Sequence, residues 1–301
     1  MTIRASVALS FVVLISGFAT AQTAEEKKAA LAFIDGLRDP KTGAFAVEPA
    51  KKGDALKPSI RACNGAIKAM KALGGEVSDA AKVKDFVLGT LYAKTGAFAE
   101  PGDKPSVATT AVGVILAIEL GIEKDKLKAS MAYLKSNAKG FEDYRIAAAA
   151  IEAWGQDSDY DEAAFKTACN DFLSTSREAN SQGDPRDLAS VAVVGLRVPK
   201  LGLKKAIRED VLKAVLAGQR GDGGWGKAGA KGSDLETTYR VVRFLKMVGA
   251  PPKDAKELEA FLASCRNADG GSGVAPKQSS TMSGTYYAAI VQQWLRELAR
   301  K

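Results

Sequence analysis

The chain of 301 residues contains no histidine and only three cysteines. The absence of histidine removes the commonest zinc ligand and the usual general base of serine and cysteine nucleophiles. Cys63, Cys169 and Cys265 show no Cys-x-x-Cys spacing, and an odd count leaves at least one of them unpaired. We therefore expect buried thiols, no bound metal and no cofactor, and any acid–base chemistry falls to carboxylates, lysines, arginines and tyrosines.

The N-terminus lacks an apolar run long enough to cross a bilayer. The run from Ala5 to Phe18 has 14 residues, Arg4 precedes it, and the small residues 19–21 follow it. This pattern is typical of a cleavable secretory signal. We predict a signal over residues 1–21 and a mature chain of one domain, 22–301, that is secreted or periplasmic and keeps no membrane span.

Alternating β-branched runs are also absent, whereas alanine and lysine abound, and this composition predicts an all-α fold. The formal net charge of +8 comes from lysines that are scattered along helices at solvent-facing positions. No nucleic-acid motif accompanies them, so no nucleic-acid partner is predicted. The sequence leaves the oligomeric state open.

What the chain does contain is a repeat. Helical runs close on glycine at steps of 47, 34, 47 and 47 residues, and one further step of 47 reaches Arg296. The closing positions are Gly74, Gly121, Gly155, Gly202 and Gly249. Glycine-rich loops recur between them, as in Gly43-Ala44-Phe45, Gly96-Ala97-Phe98, Gly183-Asp184 and Gly223-Gly224-Trp225. A period of this length predicts helical hairpins that each bury one face against the next, and six hairpins account for the chain.

One complete unit runs over residues 219–250. Its loop is Asp-Gly-Gly-Trp-Gly, and we predict that Trp225 packs against the neighbouring hairpin as a structural residue. Ser233, followed three residues later by Glu236, predicts a capping box at the start of the next helix, and Gly249 ends that helix.

The repeat register brings charged residues from different hairpins to one end of a central cavity. Positions that are 13 or 15 residues before each closing glycine fall where the second helices begin, and tyrosines follow a few residues later. The candidate binding residues at this mouth are Arg61, Glu142, Asp187, Lys231, Asp234, Glu236, Tyr239 and Tyr286. Two alternatives stay open: the carboxylates of Asp234 and Glu236 suit helix caps, and the tyrosines suit a core.

The repeated segments DGGWGKAGAKGSDLETTY and DGGSGVAPKQSSTMSGTYY resemble the prenyltransferase and squalene-cyclase repeat, and the resemblance extends from about Leu31 to Leu295. The family includes the β subunits of protein prenyltransferases and the squalene and oxidosqualene cyclases. The resemblance implies an α/α toroid with an inner and an outer ring of helices around an apolar cavity.

The same resemblance implies a zinc site that this chain does not complete. It places the family's aspartate at Asp234, but its cysteine at Glu236 and its histidine at Gly284. Lys231 lies where one residue of the diphosphate-binding basic pair is expected. The acidic Asp-x-Asp-Asp motif of the cyclases has no copy.

These losses favour an exported toroid without zinc chemistry that serves as a binding or interaction module. Its expected partner is an apolar small molecule or an extended peptide in the central cavity. Two enzymatic alternatives stay open: an isoprenoid transferase or cyclase with an altered site, and a glycan-acting enzyme that uses a carboxylate pair from Asp234, Glu236 and Glu142.

Overall fold

The computed structural model describes residues 22–155, 159–179, 184–198, 200–201 and 204–300. The predicted signal, residues 1–21, lies outside the described residues, as do Gly183 and the closing Gly202. No described helix combines the length and the apolar character that a membrane span needs.

The described residues are mainly helical, which confirms the predicted all-α class. The helices are α1 (Ala24–Gly36), α2 (Ile60–Leu73), α3 (Ala80–Gly89), α4 (Val107–Glu119), α5 (Lys128–Asn137), α6 (Gly140–Trp154), α7 (Glu162–Ala179), α8 (Pro185–Arg197), α9 (Lys205–Ala217), α10 (Leu235–Val248), α11 (Ala255–Ser264) and α12 (Met282–Leu298). A 3-10 helix, Lys124–Leu127, precedes α5, and β1 (Leu91–Tyr92) pairs antiparallel with β2 (Ala97–Phe98).

The second helix of each hairpin lies in a closed inner ring. Helix α2 packs on α4, and the contacts continue through α6, α8, α10 and α12 back to α2. The first helices of the hairpins lie outside this ring and pack mainly on the inner helices of their own or the preceding hairpin. This arrangement confirms the predicted α/α toroid of six hairpins.

The seam between the sixth and the first hairpin is closed by hydrogen bonds. The backbone N–H of Met282, at the start of α12, donates to the Val47 carbonyl over 2.8 Å. The Arg296 guanidinium donates to the Ala72 carbonyl, which lies near the end of α2. The ring is therefore joined at both ends of the inner helices.

The glycines of the repeated loops are required by close packing on the next outer helix. Gly223 has a φ of 86°, and a Cβ there would lie 2.1 Å from the backbone carbon of Glu257 in α11. Gly270 has a φ of 85°, and its Cβ would lie 2.4 Å from the Ala29 carbonyl oxygen in α1. Only glycine fits such positions, so the repeated glycines indicate where one hairpin contacts the next.

A second repeated contact ties each loop to its inner helix. The Thr238 hydroxyl accepts a hydrogen bond from the Trp225 backbone N–H over 3.0 Å. The same contact recurs at the equivalent positions of two other hairpins, with Thr285 and with Thr110. In the first hairpin the Cys63 thiol takes this place, and burial raises its pKa to about 12. All three cysteines are buried and free.

Trp225 lies inside the fifth hairpin. Its side chain is 1% exposed, and the indole N–H donates to the Val215 carbonyl over 2.9 Å. Its contribution to stability stays a prediction.

The predicted capping box of Ser233 and Glu236 is wrong. The N-cap of α10 is Asp234, whose carboxylate accepts from the Thr237 backbone N–H over 2.8 Å. The Ser233 hydroxyl instead donates to Asp222 over 2.6 Å and closes the glycine-rich loop. Because Asp222 binds this hydroxyl, the helix starts one residue later and Glu236 is free to reach another partner.

Candidate functional site

The inner helices surround a central cavity of about 580 Å³. Eleven of the 24 residues that line it are charged, so the expectation of an apolar cavity is wrong. These charged residues are Arg61, Lys68, Glu119, Glu142, Asp143, Arg145, Glu152, Arg197, Glu236, Arg240 and Arg243. The repeat register identifies which positions of an inner helix face the cavity. It does not require that the cavity-facing residues beyond the first turn are apolar.

Most apolar side chains of the cavity lining belong to two neighbouring helices. These helices are α4 and α6, which contribute Ala108, Val112, Ile115, Ile146, Ala149 and Ala153. The same two helices also contribute Glu119, Glu142, Asp143, Arg145 and Glu152, and the other inner helices contribute the remaining charged and tyrosine side chains. The cavity is therefore amphipathic.

The N-terminal turns of the inner helices carry what we call the entrance ring, Arg61, Glu142, Arg145, Glu236 and Arg240. Arg240 donates to Glu142 over 3.0 Å and to Glu236 over 2.8 Å. Arg145 adds a second ion pair to Glu142, also at 2.8 Å. The Glu142 side chain keeps 54% of its surface exposed, so the cavity is reached from this end.

The ion pairs of the entrance ring keep its carboxylates charged. Burial acts to raise the pKa of Glu142, but Arg145 and Arg240 outweigh it and lower the pKa to about 2. Hydrolysis of a glycosidic bond by two carboxyl groups requires one of them to be protonated at working pH. Glu142 does not meet that requirement.

Deeper in the cavity lies what we call the inner cluster, Lys68, Glu152, Arg197, Tyr239, Arg243 and Tyr286. Arg243 follows Glu236 by seven residues on α10, which places it roughly 10 Å further along the cavity. Glu152 pairs with Arg197 at 3.0 Å and with Arg243 at 2.7 Å, so one carboxylate serves two guanidiniums. The Arg197 side chain is only 9% exposed.

Lys68 is the least compensated charge of the inner cluster. Among the described residues its ammonium group has no hydrogen-bond or ion-pair partner. Burial lowers its pKa, and the neighbouring Arg243 and Arg197 act in the same direction, although Tyr239 and Glu119 oppose them. Glu152 and Glu119 are the carboxylates near these three cations, and Glu119 is itself paired with Lys71, so positive charge exceeds negative charge around the inner cavity.

Two tyrosines complete the inner cluster. The hydroxyls of Tyr239 and Tyr286 are 2.8 Å apart, and the Tyr239 ring stacks on Trp294 at a centroid distance of 5.1 Å. Burial acts to raise the pKa of Tyr239, but Arg243, Lys68 and the hydrogen bond with Tyr286 outweigh it and lower this pKa. The pKa of Tyr286 is raised well above its usual value by burial and by Tyr239.

Five of the eight candidate site residues line the cavity, and three do not. The lining residues are Arg61, Glu142, Glu236, Tyr239 and Tyr286. Asp234 instead caps α10, and Lys231 is exposed in the preceding loop. Asp187 is half-buried and accepts a hydrogen bond from the Ser176 hydroxyl. It lies inside α8 and not at its start, because the helix is capped by Asp184, three residues earlier.

Sequence reasoning missed Lys68, Glu152, Arg197, Arg240 and Arg243. Each of them lies on an inner helix at helical spacing from a residue that was identified, as Arg240 and Arg243 lie four and seven residues after Glu236. The signal was available: charged residues lie among the small and apolar residues of helices that the repeat assigns to the inner ring.

The residues at the implied zinc position do not fit that metal. A Cβ at Gly284 would lie 2.3 Å from the Ser272 carbonyl oxygen, so a histidine there requires a backbone shift. The Asp234 carboxylate is bound by the Thr237 N–H and hydroxyl, and Glu236 is bound by Arg240. Within the described part of the chain no group of three or more Cys, Asp or Glu side chains is arranged as a metal site.

A family model described as the prenyltransferase alpha-alpha toroid domain matches residues 163–299. This match covers the fourth, fifth and sixth hairpins, which include both complete copies of the glycine-rich loop. Among curated proteins, no sequence matches the chain.

Solved structures match almost the whole chain. The type II terpene cyclase MstE from Scytonema, without ligand, superposes with a TM-score of 0.60 at 13% identity, covering 92% of this chain and 98% of that one. A protein from Actinoplanes gives 0.60 at 14% identity, with 92% and 99% covered. A glycosidase variant in complex with glucose gives 0.59 at 13% identity, with 92% and 96% covered. At such identities the likeness concerns the fold, and this fold serves both terpene and sugar chemistry.

Proposed function

Because this chain is an α/α toroid of the prenyltransferase and terpene cyclase type, we propose that it binds a small anionic, sugar-like ligand in its central cavity. The observation that carries the proposal is the inner cluster, in which Arg197 and Arg243 share one carboxylate, Glu152, and Lys68 has no ion-pair partner among the described residues. A buried excess of positive charge is costly in an empty cavity, and an anion compensates it.

The geometry of the cations suits a carboxylate or a phosphate. Guanidinium groups present paired N–H donors to planar anions, and an ammonium group adds a compact charge. Attraction between these charges is stronger in a partly desolvated cavity than in water. The anionic group of the ligand is therefore expected at Lys68 and Arg243.

The remainder of the cavity suits a ring that carries both apolar and polar groups. Apolar side chains of α4 and α6 lie among charged and phenolic groups, and a volume of about 580 Å³ is within the range of small-molecule sites. The glycosidase that shares this fold is named as a complex with glucose, which supports a sugar-sized ligand at the level of the fold.

An isoprenoid is a poorer fit. A long hydrocarbon chain in this cavity removes water from the entrance ring and the inner cluster without replacing their hydrogen bonds. The same argument weighs against the apolar partner expected from the sequence. An extended peptide with acidic side chains satisfies the charges, and it remains the alternative occupant.

Export belongs to the same proposal. The apolar run from Ala5 to Phe18 supports it, and N-terminal sequencing of the mature protein tests it. A mature chain that begins at Gln22 agrees with export, whereas a chain that retains Met1 contradicts it.

Calorimetric titration tests the ligand class with four probes: D-glucuronate, inorganic phosphate, D-glucose and geranylgeraniol. We expect D-glucuronate to bind and D-glucose to bind at least about 10-fold more weakly, because a charge-assisted hydrogen bond is lost. Phosphate binding without glucuronate binding assigns the cations to a phosphate ligand. Binding of geranylgeraniol alone contradicts the proposal.

A lysine variant with a matched control locates the site. Lys68→Met keeps the shape of the side chain and is expected to weaken glucuronate binding by about 10- to 100-fold. The control is Lys128→Met, which changes an exposed lysine paired with Asp125 on the outer helix α5. Equal affinities in the two variants contradict the assignment of the anion to the inner cluster.

A further inference from the structure

The inner cluster holds a proton acceptor and a proton donor beside the cations, and this inference rests on the proposed anion site. We propose that Tyr239 and Tyr286 are an acid–base pair that cleaves a 4-O-linked uronate by β-elimination. The substrate class is a carboxylate whose α carbon carries a hydrogen and whose β carbon carries an oxygen leaving group.

The first support is the placement of the two hydroxyls. They are 2.8 Å apart, both tyrosines line the cavity, and they lie one repeat apart on neighbouring inner helices, α10 and α12. When a base and an acid lie on the same side of a bound ring, the base can remove the hydrogen and the acid can protonate the leaving oxygen.

The second support is the opposite effect of the surroundings on the two phenols. Charged and titratable groups from each neighbouring element face Tyr239: Lys68 on α2, Arg197 on α8, Arg243 on α10, and Tyr286 and Tyr287 on α12. The three cations favour the Tyr239 phenolate. Tyr286, whose pKa is raised by burial and by its neighbour, stays protonated. Two groups whose pKa values are pushed apart are suited to the roles of base and acid.

The third support is the chemistry of a carboxylate bound by cations. A hydrogen on the carbon next to a carboxylate is weakly acidic because its removal puts further negative charge on the carboxyl group. Lys68, Arg197 and Arg243 are placed to neutralise that charge, as preorganised donors do in other sites. The groups that bind the ligand therefore also activate it.

The step balances without water or a cofactor. The Tyr239 phenolate takes the α hydrogen as a proton, a carbon–carbon double bond forms, and the bond from the β carbon to the leaving oxygen breaks. Tyr286 donates its proton to that oxygen and becomes a phenolate. The proton on Tyr239 then passes across the hydrogen bond to Tyr286, which restores both residues.

Spectroscopic titration tests the ionisation without any substrate. Tyrosinate absorbance of the native protein is expected to show one phenol that ionises below the pH range of an ordinary tyrosine. Tyr239→Phe is expected to remove that transition, and the control Tyr92→Phe, at a tyrosine that is 50% exposed, is expected to retain it. Identical titrations of the parent protein and Tyr239→Phe overturn the assignment.

Activity is tested with polygalacturonate and alginate oligosaccharides, and with maltotriose as the neutral control. Elimination leaves a double bond conjugated to a carboxylate, so the product absorbs in the ultraviolet. We expect this signal from an acidic probe only, and a loss of about 10²- to 10⁴-fold in Tyr239→Phe and in Tyr286→Phe. Lys68→Met is expected to move the ascending limb of the pH profile to higher pH, because one cation that favours the phenolate is removed.

Failure of this inference is separable from failure of the proposed function. Glucuronate binding without any unsaturated product from either acidic probe overturns the elimination and leaves the anion site standing. No glucuronate binding and no product overturns both. A product that forms equally well in Tyr239→Phe overturns the role of this tyrosine.

Discussion

In the entrance ring one guanidinium, that of Arg240, lies between two carboxylates, Glu142 and Glu236, whereas in the inner cluster one carboxylate, Glu152, lies between two guanidiniums. The entrance ring is partly open to solvent, and the Glu142 side chain is 54% exposed. The inner cluster contains the least exposed guanidinium of these ion pairs, that of Arg197 at 9%, although the Glu152 side chain keeps 38% of its surface exposed.

This contrast distinguishes a structural network from a binding site. Both carboxylates of the entrance ring have a basic partner, and exposed pairs of this kind contribute little to stability. The inner cluster has a larger excess of positive charge, and it includes a lysine without a partner among the described residues. A cluster of cations in a cavity whose charges are not matched by carboxylates points to a ligand.

The largest expected effect is on stability, and it involves the entrance ring and the inner cluster equally. Trp225 supports the start of α10, which carries Glu236 and Arg240 as well as Tyr239 and Arg243. Trp225→Ala is expected to lower the free energy of unfolding by about 3 to 5 kcal/mol, because a buried indole is lost and a cavity is left. Denaturant titration measures this. A variant that unfolds like the parent protein but fails to bind glucuronate would assign Trp225 to the site instead.

The second effect concerns the inner cluster alone. Glu152→Gln removes the one carboxylate between two guanidiniums, so the free energy of unfolding is expected to fall by about 2 kcal/mol. The same change leaves more uncompensated positive charge and is expected to strengthen glucuronate binding. Denaturant titration and calorimetry measure the two quantities, and weaker binding in this variant would contradict the charge argument.

The third effect is expected to be small, because it falls on the entrance ring. In Glu236→Gln the amide can still accept a hydrogen bond from Arg240, which keeps its ion pair with Glu142. The free energy of unfolding is expected to change by less than about 1 kcal/mol, and glucuronate affinity by less than about 3-fold. A larger loss of affinity would move the binding site toward the entrance.

The last effect is confined to acid pH. The pKa of Glu142 is lowered from 4.5 to about 2 in the folded protein. Its contribution to stability is therefore complete above pH 4.5 and is lost as the pH falls from 4.5 toward 2. Thermal unfolding of Glu142→Gln is expected to depend less on pH in that window than unfolding of the parent protein, and parallel curves would contradict the ion pairs of Glu142.

The sequence was sufficient for the fold because the repeat encodes its contacts. Gly223 and Gly270 recur where the loops touch the next outer helix, so the spacing of the glycines is the spacing of the hairpins. The closed ring was predictable for the same reason, because six similar interfaces let every hairpin pack against a neighbour on each side.

The site was predictable only in part. Glu142, Glu236, Tyr239 and Tyr286 were placed at the cavity because the register aligns the helix starts, and all four line it. For Asp234 the sequence left a cap and a site residue open, because the two look alike, and in the structure it caps α10. Lys68 was missed because nothing in its local sequence shows that it lacks a carboxylate partner, which depends on contacts between distant helices.

The central claim is that the inner cluster binds an anion. Bromide soaked into crystals of the protein reports this directly, because its anomalous scattering marks its position. We expect a bromide within hydrogen-bonding distance of the Lys68 ammonium and the Arg243 guanidinium, and its loss in Lys68→Met. Bromide found only at Arg61 or on the outer surface, with none at the inner cluster, would contradict it.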